Sequence, residues 1–161
     1  MHTKRARIQQ RGFTILLAAL VASLVLAIGI SVFTIAQKQI ILSSLGRNSQ
    51  YAFYAADTGA ECGLYWDLRH DFFASSTPGI IPSCDDTLIC SPGSDCENGR
   101  SGTYPYTMTF EYEPNGYCVR VAVTKATAHP RTRIHADGFS TACEDIETNA
   151  RALQRSVELT Y

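Results

Sequence analysis

From Gly12 to Ala36 the chain reads GFTILLAALVASLVLAIGISVFTIA, without a single charged residue. Wound as a helix this stretch spans roughly 36 Å, enough to cross a bilayer's ~30 Å hydrocarbon core. Lys4, Arg5, Arg7 and Arg11 precede it, with no acid among them. By the positive-inside rule they hold the N-terminus in the cytoplasm, and everything after Lys38 is exported. From Gln37 to His70 no proline interrupts the chain, and Ile41, Leu45, Ala52, Ala55, Gly59, Gly63 and Trp66 return at three- and four-residue steps. The pattern predicts one helix from Phe13 to about His70, roughly 85 Å long. Its first half crosses the membrane, and small residues along its second half allow close packing on a sheet.

The periodicity then changes. Residues 71–102 are rich in proline, glycine, serine and acids and read as loop. After them Tyr104, Tyr106, Met108, Phe110 and Tyr112 alternate with polar residues, as do Tyr117, Val119, Val121 and Val123. Asn115-Gly116 between the two runs is a hairpin signal, because both residues tolerate positive φ. That turn sets Tyr112 opposite Val119, Phe110 opposite Val121 and Met108 opposite Val123, with Glu111 opposite Arg120 on the other face. Residues 131–140 read as a third strand and residues 151–161 as a fourth. The expected fold is α+β: a long N-terminal helix, membrane-spanning in its first half, packed on an antiparallel sheet of about four strands.

Charge sharpens this division. The leader takes four of the 14 Lys and Arg and none of the 15 Asp and Glu, so the formal charge of −1 hides an acidic exported part. No basic cluster lies outside the leader, which argues against nucleic acid as a direct partner. The six cysteines, Cys62, Cys84, Cys90, Cys96, Cys118 and Cys143, all fall on the exported side. An even number there reads as disulfides, and the absence of C-x-x-C spacing argues against zinc.

The boundary between charge and apolarity falls at Arg11-Gly12-Phe13-Thr14. The run RGFTILLAALVASLVLAIG resembles a type IV prepilin signal, and Gln50 to Asp57 resembles a segment of the PilX-type minor pilins. The likeness covers about residues 8–66. It implies a prepilin leader over 1–12, cleavage between Gly12 and Phe13 by a prepilin peptidase, a retained hydrophobic assembly helix over 13–36 and an exported pilin-like domain over 37–161. Major pilins carry a glutamate at the fifth mature position, where this chain has Leu17, and often a proline where it has only Gly29. Both departures point away from a shaft subunit. The first fits PilX-type minor pilins and the pseudopilins at the tip of secretion filaments.

The implied role is a minor, tip-proximal subunit of a type IV pilus or related secretion or uptake filament. Its partners would be other pilin-like subunits through the helix, membrane lipid before assembly and the prepilin peptidase. The protein would sit in the cytoplasmic (inner) membrane and reach the cell surface once assembled. A second class stays open, a single-pass anchored binding module outside the cytoplasm that never polymerises.

Strand order suggests the pair Cys118–Cys143, a short Pro-Gly loop can be closed by Cys90–Cys96, and Cys62 near the helix end is left to pair with Cys84, although spacing alone leaves the connectivity open. No nucleotide-binding or hydrolase signature is present, His70, His129 and His135 lack metal-ligand spacing, and neither enzymatic activity nor a cofactor is expected. Asp85, Asp86, Asp95 and Glu97 in the cysteine-bounded loop offer oxygen ligands of the kind calcium takes, without the spacing of an EF-hand. They read as a solvated acidic loop. The aromatic group Tyr51, Phe53, Tyr54, Tyr65 and Trp66 reads as core or subunit contact in preference to a ligand platform.

Overall fold

The computed structural model describes residues 6–74, 80–90 and 103–161, with backbone alone for residues 6–12. Helix α1 covers Ala6–His70. Strands β1 (Ser83–Cys84) and β2 (Thr87–Leu88) form a small hairpin. Strands β3 (Tyr106–Tyr112), β4 (Val119–Lys125), β5 (Thr132–Phe139) and β6 (Gln154–Thr160) follow. They form one antiparallel sheet in the order β3-β4-β5-β6. The fold is α+β, as the patterning predicts. The chain divides into two compact units, Met1–Leu45 and Gly46–Tyr161.

In the second unit the expected hairpin register is present, with Tyr112 facing Val119, Phe110 facing Val121 and Met108 facing Val123. Asn115 and Gly116 both take positive φ, 54° and 78°, which turns the chain between β3 and β4. Inward-facing Met108, Val119, Val121, Val123, Ile134 and Ala136 are fully buried. Across from them lie Ala52, Ala55, Ala56 and Ala60 of α1. The alanines and glycines let backbones meet. A Cβ added to Gly138 would collide with the carbonyl oxygen of Ala52 and the backbone of Ala56, and one on Gly59 would strike Val119.

Three expectations need correction. The helix begins at Ala6 and not at Phe13, because the leader before Gly12 lacks proline and glycine and is rich in good helix formers. Ile41 and Leu45, expected on the sheet-facing stripe, are exposed, since burial along α1 begins only near Asn48. The segment read as loop contains β1 and β2, a hairpin turned by Asp85 and Asp86, both at positive φ.

Candidate functional site

The expected assembly segment lies in the first unit. Every side chain from Phe13 to Ala36 is exposed. Its hydroxyls are satisfied inside the helix: Ser23 donates to the Leu20 carbonyl at 2.8 Å, Ser31 to Ala27 at 2.9 Å and Thr34 to Ser31 at 2.8 Å. Bonds of this kind let serine and threonine sit in hydrocarbon without stranding a donor. The helix is long and apolar enough to cross a membrane. Leu17 is 54% exposed and Phe13 71%. Gly12 and Phe13, the expected cleavage pair, lie within α1. Gly29 has nothing within 4 Å of where a Cβ would sit.

The second unit is held to its own stretch of α1 by covalent and polar ties. Cys62 on the helix is bonded to Cys84 in β1, and Cys118 before β4 to Cys143 after β5. Both pairs match the expected connectivity. Cys90 is also disulfide-bonded, while its expected partner Cys96 lies outside the described residues. Trp66 Nε1 donates to the Ser83 carbonyl at 3.0 Å, a second link between helix and hairpin. The Tyr106 hydroxyl donates to the Phe73 carbonyl at 2.8 Å.

Near its C-terminal end α1 carries Asp67, which is buried. Lys125 of β4 straddles its carboxylate: Nζ donates to Oδ2 at 2.7 Å and makes an ion-pair contact with Oδ1 at 2.6 Å. The Tyr161 hydroxyl donates to Oδ2 at 2.5 Å, and Lys125 also donates to Thr132 Oγ1 at 3.0 Å. A buried carboxylate is tolerable only with such partners. Burial, and then the bond to Asp67, raise the Tyr161 phenol well above its ordinary value. Sequence reasoning missed this network. Asp67 has Arg69 and His70 close by in the chain, but the partner it takes is Lys125, 58 residues away, which only the fold brings to it.

Of the aromatic group, Trp66 alone is core; Phe53, Tyr54 and Tyr65 are exposed, and Tyr51 stacks on Tyr117 with ring centroids 4.8 Å apart. Asp85 and Asp86 are exposed at the β1–β2 turn, and Asp95 and Glu97 lie outside the described residues. Tyr112, buried on the inner face of β3, has its phenol raised first by burial and then by the charges of Asp85 and Glu61. Glu111 lies near Cys118 and Cys143, but those sulfurs are joined to each other and offer no thiolate to a metal. His135 lies 3.3 Å from Asp137 and 3.4 Å from Glu158 on the solvent face of the sheet.

Compared with protein-family models, with curated proteins and with solved structures, the chain matches none.

Proposed function

We propose that this protein is a minor, tip-proximal subunit of a type IV pilus or a related secretion or uptake filament, anchored in the membrane and assembled through its hydrophobic N-terminal helix. The observation that carries the reading is the charge-to-apolar junction at Gly12-Phe13, followed by an apolar helix whose side chains are all exposed from Phe13 to Ala36. A helix of this kind needs lipid or other helices around it. The resemblance of its leading sequence to prepilin signals supplies both in turn, bilayer before assembly and neighbouring subunits after it.

Leu17 supports the position at the tip. In pilin-like filaments the membrane glutamate of an incoming subunit neutralises the N-terminal amine of the subunit ahead of it. A carboxylate within a bilayer costs ~2.5–3.5 kcal/mol, so it is kept where it has a partner. A leading subunit has no amine ahead of it to neutralise, and an apolar residue suffices.

The test is the mature N-terminus of the protein from membranes of an expressing strain that holds a prepilin peptidase. The expected species begins at Phe13, and replacing Gly12 by a bulky residue leaves the leader attached. An intact Met1 in the unsubstituted protein would overturn the reading in favour of a plain single-pass anchor.

A further inference from the structure

Among the described residues, no strand pairs with the outer side of β6. Thr132 and Tyr161 exchange both backbone hydrogen bonds, at 2.9 and 3.0 Å, and the Ser140 amide donates to the Leu153 carbonyl at 3.0 Å. In an antiparallel ladder the bonded pairs alternate. Leu159, Val157 and Arg155 therefore bond to Ile134, Ala136 and Gly138, their partners in register. Gln154, Ser156, Glu158 and Thr160 turn their N–H and C=O groups outward, and all four are exposed. Among the described residues nothing pairs with those groups.

Proteins blunt such an edge with proline, a bulge or projecting lysines. β6 has no proline and no lysine, and it pairs with β5 without a bulge from Gln154 to Thr160. Its polar side chains fold back onto its own unit. Gln154 Nε2 and Ser156 Oγ donate to Asp137, Glu158 meets Arg133 and His135, and Arg155 reaches Ser49. What faces outward is bare backbone. On the inner face Val157, Leu159 and Tyr161 are only half-buried, although they continue the apolar core.

We infer that β6 is a dimerisation edge, taking the β6 strand of a second copy of this chain in antiparallel register. The strand is self-complementary about Val157. With Val157 opposite its own equivalent, Ser156 faces Glu158 and Gln154 faces Thr160, so every outward residue finds an outward partner. No like charges stand directly opposite each other. Sliding the register to set Ser156, or Glu158, opposite its own equivalent leaves outward groups unpaired, and the Glu158 alignment also sets two carboxylates face to face. On the inner face Val157 then meets Val157 of the second copy, and Leu159 stands opposite Arg155, whose aliphatic stem can cover it. This inference concerns the exported unit alone and does not depend on the filament reading.

The test uses the full chain in detergent micelles, with amide hydrogen exchange read across β6 at increasing protein concentration. The amides of Ser156 and Glu158 should exchange freely when dilute and slow by more than ~10-fold when concentrated, together with a shift to dimer in cross-linking. Glu158→Pro removes an outward N–H together with the solvent-face contacts to Arg133 and His135, leaves the β5–β6 ladder bonds in place, and is expected to abolish both changes while the rest of the sheet keeps its exchange pattern. Ser156→Pro is the second variant should the first fail to fold. A dimer held by the hydrophobic helix would persist in both variants. That persistence, or exchange at Ser156 and Glu158 that does not respond to concentration, overturns the inference.

Discussion

At the residue scale, Asp67 and Gly138 show how much a single position carries. Truncating Asp67 to alanine leaves the mostly buried Lys125 ammonium without a counter-charge, with Thr132 Oγ1 still to donate to, and removing one partner of such a pair costs about 3–5 kcal/mol. The double replacement Asp67→Leu with Lys125→Met should recover most of that loss, because it removes the charge as well as its partner. Chemical denaturation of Asp67→Leu, Lys125→Met and the double variant measures the coupling, and additive losses would refute it. Gly138 faces helix backbone, which cannot rotate away as a side chain can. Gly138→Ala is expected to destabilise by about 1–3 kcal/mol or more, whereas Gly46→Ala, with open space around it, should stabilise its helix by roughly 0.5–1 kcal/mol.

Two titrating groups give stability a pH dependence at opposite ends. Burial would raise the Asp137 carboxyl, but hydrogen bonds from Ser156 and Gln154, with His135 beside it, outweigh burial and hold it below its ordinary 3.8. A depressed carboxylate contributes stability that is present above pH 3.8 and lost as pH falls through its folded value. Asp137→Asn should flatten that acid limb in a series of unfolding curves. The raised Tyr161 works the other way. Its contribution is complete below pH 10 and declines as pH climbs above it, so Tyr161→Phe should show less loss of stability in alkali than the parent.

At the scale of elements, the disulfides act on connections that the sheet alone leaves loose. Cys118–Cys143 spans a separation of 25 residues and encloses the whole β4–β5 hairpin. Cys62–Cys84 ties a two-strand hairpin, too small to hold itself, to α1. Replacing either pair by alanines is expected to cost about 2–4 kcal/mol. The consequences should differ: loss of Cys118–Cys143 lowers the unfolding midpoint of the whole sheet, whereas loss of Cys62–Cys84 first deprotects the amides of Ser83 to Leu88. Residue-resolved hydrogen exchange separates the two outcomes.

At the scale of the whole molecule, the proposed role sets where the protein is found. Labelled on its exported unit, it is expected at filament ends and in few copies per filament. Regular label along the shaft, at the stoichiometry of the main subunit, would exclude the tip position. Sequence patterning already separated an apolar helix from an α+β unit, because both signals are local. An uninterrupted uncharged run specifies a membrane-length helix, and alternation about Asn115-Gly116 specifies a hairpin and its register, since a one-residue slip would turn every buried side chain outward. From that register and the strand order, the Cys118–Cys143 pairing also followed.

What only the tertiary structure decided depends on residues distant in the chain. Asp67 meets Lys125 and Tyr161, Gly138 admits the backbone of Ala52 and Ala56, and burial on α1 starts near Asn48 although the helical rhythm begins at Ile41. Periodicity tells which face of an element is apolar. It does not tell how far along that face a partner extends, because the partner's reach is set by the lengths and packing of strands elsewhere in the chain. Leu17 belongs to the sequence alone: its exposure is shared by every side chain from Phe13 to Ala36, and that it carries no carboxylate is read from the residue itself.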